Sequence, residues 1–215
     1  MKVQWYGQAC FLFEGQGVRL VTDPPAGVMG YQLPEEEVDL ATVSHDHSDH
    51  NNVNALHGAP AVINTPGVHE VKGLRVESYS AFHDNMGGAQ RGPNLLFVWE
   101  MDGVRVCHLG DLGHLLDAKS LQDLGRIDLL LAPVGGVFTI DADRAKQVVD
   151  QIGPRIVIPM HYKTPVLQLP LATVDPFLRL FQSGQVRQEQ CLAVEGATLP
   201  PSQEVVVLAY RVPAA

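Results

Sequence analysis

Between Ser44 and Asn51 the chain reads His45-Asp46-His47-Ser48-Asp49-His50, three histidines and two aspartates in six positions, directly behind the apolar run Val38 to Val43. Imidazole and carboxylate are suitable ligands for Zn²⁺, Mn²⁺ or Fe²⁺. In an extended segment His45 and His47 share a face and can reach one ion. Asp49 and His50 stand one turn further on and can face a second. The alternative is a solvated polar loop. Two ions need more ligands than these four, so the remainder must come from distant strand ends. His83 in "SAFHDN", Asp111 in "CHLGDLGH" and His161 in "VIPMHY" each follow an apolar run, where the carboxyl edge of a sheet would gather them. Singly they read as a loop histidine, a helix cap and a hydrogen-bonding core residue. Together with the cluster they favour a metal site.

The elements that must position these groups follow from pattern. Val3 to Tyr6, Ala9 to Glu14 and Val18 to Asp23 are apolar, β-branched or aromatic and read as strands, with Gly15-Gln16-Gly17 as a turn. Val38 to Val43, Ala61 to Asn64 and Leu74 to Ser80 are further strands. Leu95 to Met101 and Val104 to His108 form a hairpin across Asp102-Gly103, a pair suited to a tight primed turn. Beyond residue 115 the period changes. Leu116 to Leu124 reads as a helix ending at Gly125, Asp141 to Ile152 as a helix capped by Asp141 and stopped by Gly153-Pro154, and Thr173 to Phe181 as a helix with Pro176 in its first turn. Ile127 to Pro133 and Arg155 to Pro159 suit buried strands, and Glu204 to Arg211 a closing one. Hairpins first and strand-helix alternation afterwards predict sheets inside and helices outside. The Gly/Pro-rich stretches Pro24 to Pro34 and Met86 to Pro93 are short and read as active-site or surface loops.

With 215 residues, 46% hydrophobic and 18% charged, the chain can bury a sizeable core, and one domain over residues 1–215 is expected. No apolar run reaches the roughly 18 residues of a membrane helix, and the start, Met1-Lys2-Val3-Gln4-Trp5, does not show the long apolar stretch expected of a secretory signal. Three scattered cysteines, Cys10, Cys107 and Cys191, argue against a disulfide framework and for a reducing cytoplasm. A net charge of -9 disfavours nucleic acid as a partner, while a small-molecule substrate remains compatible. Oligomeric state is open, a homo-oligomer included.

The His-x-His-x-Asp-His cluster, the later histidine, the Gly-Asp pair and Pro159-Met160-His161-Tyr162 resemble the metallo-β-lactamase-fold hydrolases, over nearly the whole chain from Trp5 to Tyr162. "NLLFVWEMDGVRVCHLGDLGH" and "APVGGVFTID" are most similar to the branch of metal-dependent hydrolases related to ascorbate-6-phosphate lactonase. The resemblance implies a mixed α/β fold, a four-layer αββα sandwich with metals at one rim. It assigns His45, His47 and His83 to a first ion, Asp49, His50 and His161 to a second, and Asp111 to a bridge between them. His108 and His114 flank Asp111 and compete with His83, and His108 could instead line the pocket. Asp23 in "VTDPP" stands where the family holds a carboxylate that fixes a ligand imidazole. A turn-initiating Asp before Pro is the other reading.

Two divalent cations, zinc foremost and manganese or iron as alternatives, would share a hydroxide that attacks an ester, lactone or phosphodiester. Asp49 would help to ligate the metal and orient the nucleophile. Two such cations outweigh Asp49, Asp111 and a hydroxide by one positive charge, so an acidic protein could still take an anionic substrate. Arg91, on a glycine-rich loop beside His83, could meet a carboxylate or phosphate if that loop is a mobile flap; a solvated hairpin loop is the other reading. Gly135-Gly136 could admit a close backbone approach, and Tyr162 and Lys163 could reach substrate. The fold also carries iron oxidoreductases. The diiron reductases typically have Glu where His47 stands, whereas a mono-iron dioxygenase of the sulfur-oxidising type would keep the histidines. A catalytically silent metal-binding protein is the third expectation.

Overall fold

The computed structural model describes residues 1–211. Its layers follow from side-chain alternation in the first strands, β1 (Lys2–Gly7), β2 (Cys10–Gly15) and β3 (Val18–Thr22). Phe11, Phe13 and Leu20 point into the large core between two sheets. Cys10, Leu12 and Val21 point the other way, into a smaller cluster with Val38 and Leu56. Both faces of this sheet are therefore covered. The outer cover consists of loops and short 3₁₀ turns at Gly27–Met29 and Val53–Ala55.

The first sheet continues with β4 (Leu40–Thr42) and β5 (Ala61–Ile63). The second holds β6 (Gly67–Val71), β7 (Leu74–Phe82), β8 (Pro93–Met101), β9 (Val104–His108), β10 (Leu129–Pro133) and β11 (Ile156–Met160). The short strands β12 (Val186–Glu189), β13 (Leu192–Ala193) and β14 (Glu204–Leu208) complete the pair. The sheet orders are β13-β1-β2-β3-β4-β5 and β12-β14-β11-β10-β9-β8-β7-β6. β3, β4 and β5 run parallel, as do β9, β10, β11 and β14. Because β7 and β9 are both antiparallel to β8, β7 also runs in the direction of β9. Several strands thus end at one rim.

The primed turn at Asp102-Gly103 forms as expected, with φ of 51° and 74°. Asp141 caps α2 (Ala142–Ile152) by accepting from the Arg144 amide at 2.9 Å, and Gly153 closes it in the left-handed region. Other boundaries differ. The helix placed at Leu116 begins as α1 (Ala118–Leu124), because Asp117 caps it by accepting from the Ser120 amide at 2.7 Å while Leu116 is buried. The helix expected over Thr173 to Phe181 is only α3 (Asp175–Leu178). Beyond Leu178 the amides of Leu180 and Phe181 bond three residues back, which tightens the chain into turns. β6, β12 and β13 carry little alternating apolar pattern and went unread. Their pairing with neighbours makes them strands.

Across the core, Phe13 of β2 meets Trp99 of β8 edge to face, 4.9 Å between ring centres. Both side chains are fully buried. Phe13→Ala is expected to lower unfolding free energy by about 3–5 kcal/mol in urea titration. A loss below about 1 kcal/mol would mean that the sheets do not depend on this contact.

Candidate metal centre

Every residue of the site stands just past a strand that ends at the common rim. Asp23 follows β3, the His45–His50 segment follows β4, His83 follows β7, Asp111 follows β9 and His161 follows β11. Loop-to-loop bonds lock the two sheets together here: the Leu95 amide donates to the Ser44 carbonyl at 2.9 Å, and the His161 amide to the Gln8 carbonyl at 3.1 Å. Gly110 has no room for a side chain, since a Cβ there would collide with Asn94 and Ser44. Gly135 likewise packs against the His161 carbonyl, which settles its role as a close backbone approach.

Three ligand groupings result, each with donor atoms within 4.8 Å of one another: His45, His47 and His83; His45, His50 and Asp111; and Asp49, His50 and His161. Asp111 Oδ2 is central. It lies 3.1 Å from His83 Nε2, 3.2 Å from His161 Nε2, 3.4 Å from His50 Nε2 and 3.9 Å from His45 Nε2. Asp49 Oδ2 lies 3.4 Å from His50 Nε2.

Asp23 sets two of the tautomers. Its carboxylate accepts from the Ser44 amide at 2.7 Å, the Ser44 hydroxyl at 2.6 Å and His50 Nδ1 at 3.0 Å. The single Ser44 proton is committed to Asp23, so Ser44 Oγ must accept from His45 Nδ1, 2.9 Å away. Both histidines therefore carry a proton on Nδ1 and turn Nε2 inward. Those two Nε2 atoms and Asp111 Oδ1 are buried without a hydrogen-bond partner. Orphaned polar atoms of this kind cost free energy unless something binds them. A cation fits between them, and the nitrogen-oxygen donor set suits a divalent metal.

The ionisation pattern agrees. Burial opposes charge on Asp111, yet the surrounding imidazoles, His161 and His50 foremost, hold its pKa well below the usual range. Asp49 and Asp23 are also held down against burial, through hydrogen bonds from the neighbouring histidines. Burial lowers His45 to about 3. Burial would also lower His50, but Asp111, Asp23 and Asp49 push it well above its ordinary value. Three carboxylates converge there on one position that demands positive charge.

Other candidates fall outside the ligand set. The Gly110 amide donates to His108 Nδ1 at 3.2 Å, so His108 Nε2 carries the proton and donates to the Ala9 carbonyl at 3.0 Å. With no free nitrogen, His108 braces the turn that carries Asp111 and does not line the cleft. His114 accepts from the Phe82 amide at 3.2 Å and contacts the Leu115 carbonyl at 2.8 Å. His83 therefore occupies the place for which these two competed. Tyr162 is buried with its ring 4.9 Å from Trp5, a core position and not a substrate-facing one. Lys163 donates to the carbonyls of Leu167 and Leu169.

Two site residues escaped the sequence reading. Gln8, fully buried at φ 49°, donates through Nε2 to Asp49 Oδ2 at 3.1 Å and reaches His161 Nε2 at 3.3 Å. The reversed amide would set an oxygen against the carboxylate, so the donor orientation is the one chemistry allows. Asn94 accepts from the Asp111 amide and donates to the Leu109 carbonyl, both at 2.9 Å. A single Gln after a glycine and a single Asn at a strand start carry no pattern that points to a site.

Comparison with known proteins agrees with the geometry. The sequence profile of the Beta-lactamase superfamily domain matches residues 2–161. The chain is 34% identical to a UPF0173 metal-dependent hydrolase of Thermoplasma acidophilum, over 76% of this chain and 84% of that one. It is also 34% identical to a UPF0173 metal-dependent hydrolase of Methanoculleus marisnigri, over 76% and 82%. Among solved structures, a candidate Zn-dependent hydrolase of the metallo-β-lactamase superfamily from Thermotoga maritima superimposes with a TM-score of 0.82 at 38% identity, covering 98% of this chain and 99% of that chain.

Asp23→Asn replaces an acceptor of three bonds with an amide whose NH2 must face either the Ser44 amide or the Ser44 hydroxyl and His50. Metal affinity is expected to fall about 10–100-fold in competition against a chelator. Unchanged affinity would remove Asp23 from the organisation of the site.

Proposed function

This chain belongs to the UPF0173 metal-dependent hydrolases of the metallo-β-lactamase superfamily, and from that premise we propose that its rim cluster is a dinuclear, preferentially zinc-loaded centre that hydrolyses a small anionic ester, lactone or phosphodiester. The observation that carries this reading is Asp111 Oδ2, set among four imidazole nitrogens, with the grouping of His45, His50 and Asp111 linking the two outer groupings. The cations would supply a hydroxide at neutral pH and polarise the oxygen that gains charge during attack.

The chain's own residues supply orientation. His45, His47 and His83 would hold one ion, and Asp49, His50 and His161 the other, with Asp111 bridging. Asp49 is half-buried and lines the cleft. Because Gln8 occupies its Oδ2, Oδ1 is left to accept a hydrogen bond from the attacking water and align it. The low pKa of Asp49 keeps that acceptor ionised. Asp23 and Ser44 keep the imidazoles turned inward, so little reorganisation is needed when the site loads.

Surroundings fit the same reading. Among the described residues no helix is long and apolar enough to cross a membrane. Cys10 and Cys107 are buried and unpaired, in keeping with a reducing cytoplasm.

Elemental analysis of the purified protein is expected to return about two equivalents of metal per chain. Chelation should abolish turnover of a lactone, thioester and phosphodiester panel, and zinc or manganese should restore it. His47→Ala and Asp111→Ala should each abolish turnover and cut metal content. Full loading and wild-type rates in either variant would overturn the assignment.

A further inference from the structure

We propose that the substrate carries an anionic group joined to an apolar body, with Arg91 binding the anion and Met29, Phe138 and Leu169 receiving the apolar part. This rests on the hydrolase reading and narrows it to a substrate class.

The cleft at the candidate metal centre has a volume of about 170 Å³. Besides the metal-centre residues His47, Asp49, His83, Asp111 and His161, it is lined by Met29, Arg91, Phe138 and Leu169. The lining outside the metal centre thus holds one cation among apolar side chains. Arg19, Arg75, Arg105, Arg126 and Arg187 each pair with a carboxylate. Arg91 is half-buried, yet its guanidinium makes no hydrogen bond or ion pair among the described residues. In a chain of net charge -9, an unpaired guanidinium facing a cleft is available to an incoming anion. Its planar donor fork matches a carboxylate or a phosphate.

Both sides of this clamp are fixed in advance. The Arg91 guanidinium lies 4.6 Å above the Phe138 ring centre. Its loop is organised by Asp84, whose carboxylate accepts from the amides of Met86 at 2.7 Å, Gly88 at 2.9 Å, Gln90 at 2.9 Å and Arg91 at 2.7 Å. The His83 amide closes the loop base on the Gly92 carbonyl at 3.1 Å. These bonds give the loop a defined conformation. Phe138 is held by a tight turn in which its amide donates to the Gly136 carbonyl at 2.6 Å. That turn forces the β-branched Val137 to φ 61°, a conformation it adopts only under constraint.

Outside the metal centre, the lining residues Met29, Phe138 and Leu169 give an apolar ligand its contact surface. Hydrolysis then adds one water: the ester or phosphoester bond breaks, hydroxide joins the acyl or phosphoryl group and a proton joins the leaving oxygen. Arg91 binds a second anion on the same molecule, away from the bond being cut.

Equilibrium binding to the metal-loaded protein tests the claim, with hexanoate and hexyl phosphate compared against acetate and inorganic phosphate. At least one long-chain anion should bind about tenfold or more tightly than its short counterpart, and Arg91→Met should weaken it about tenfold or more. The anion that loses more identifies the natural headgroup. In kinetics, the kcat/KM ratio of mono-para-nitrophenyl adipate to its methyl-capped counterpart should fall by a similar factor in Arg91→Met, with Arg91→Gln as a second variant if the first fails to fold. Equal affinity for long and short anions, or equal affinity in wild type and variant, would overturn the proposal. Binding as expected without hydrolysis of any ester would retain this recognition and sink the hydrolase reading. Hydrolysis with an unchanged ratio would do the reverse.

Discussion

Buried negative charge is the constraint around which this molecule is arranged. Asp23 and Asp111 are almost wholly enclosed, and Asp49 stands beside them at the edge of the cleft. Carboxylates in such a setting are unfavourable unless donors or cations surround them. Asp23 is satisfied by Ser44 and His50. Asp111 has backbone support from the Asn94 interaction, but its Oδ2 faces only imidazoles and its Oδ1 faces nothing. The protein thus gathers acceptor groups that do not satisfy one another. A divalent cation would resolve that imbalance in one step.

The sandwich makes such a cluster affordable. Two sheets meet over a core that includes Phe11, Phe13, Phe97 and Trp99, and this burial holds the strand ends in place. Non-glycine residues with positive φ recur around the centre: Gln8 at 49°, Asp23 at 39° and His161 at 52°. Backbone of this kind persists only where packing and hydrogen bonds overdetermine it. Gln8 shows how: its carbonyl accepts from both the Trp5 indole at 3.0 Å and the His161 amide at 3.1 Å, while its side chain reaches Asp49. One residue therefore ties the N-terminal hairpin to ligands from both halves of the chain.

The cleft combines two kinds of rigidity. On the metal side, tautomers are set by a chain of hydrogen bonds that starts at Asp23. At the Arg91 loop, one buried carboxylate organises the backbone, and one strained turn holds Phe138. The two networks are joined at His83, which belongs to the ligand cluster and also closes the base of the Arg91 loop.

Most of the residues that meet at the rim are legible in the sequence, because His, Asp and their two-residue spacing behind an apolar strand are chemically distinctive. The hairpin at Asp102-Gly103 and the cap at Asp141 are equally plain, since local sequence alone dictates those conformations. Sequence does not separate His83 from His108 and His114, because which imidazole nitrogen is free depends on partners distant in sequence, Ala9 for His108 and Phe82 for His114, and on the turn that brings the Gly110 amide onto His108. It suggested substrate contact for Tyr162, which the fold buries beside Trp5, and it passed over Gln8, Asn94 and Asp84. Those three act through hydrogen bonds whose partners are chosen when the loops fold. Residue type and spacing determined what could bind a metal; the convergence of strand ends from two sheets decided which groups meet, because hydrogen-bond partners and burial are properties of the packed molecule.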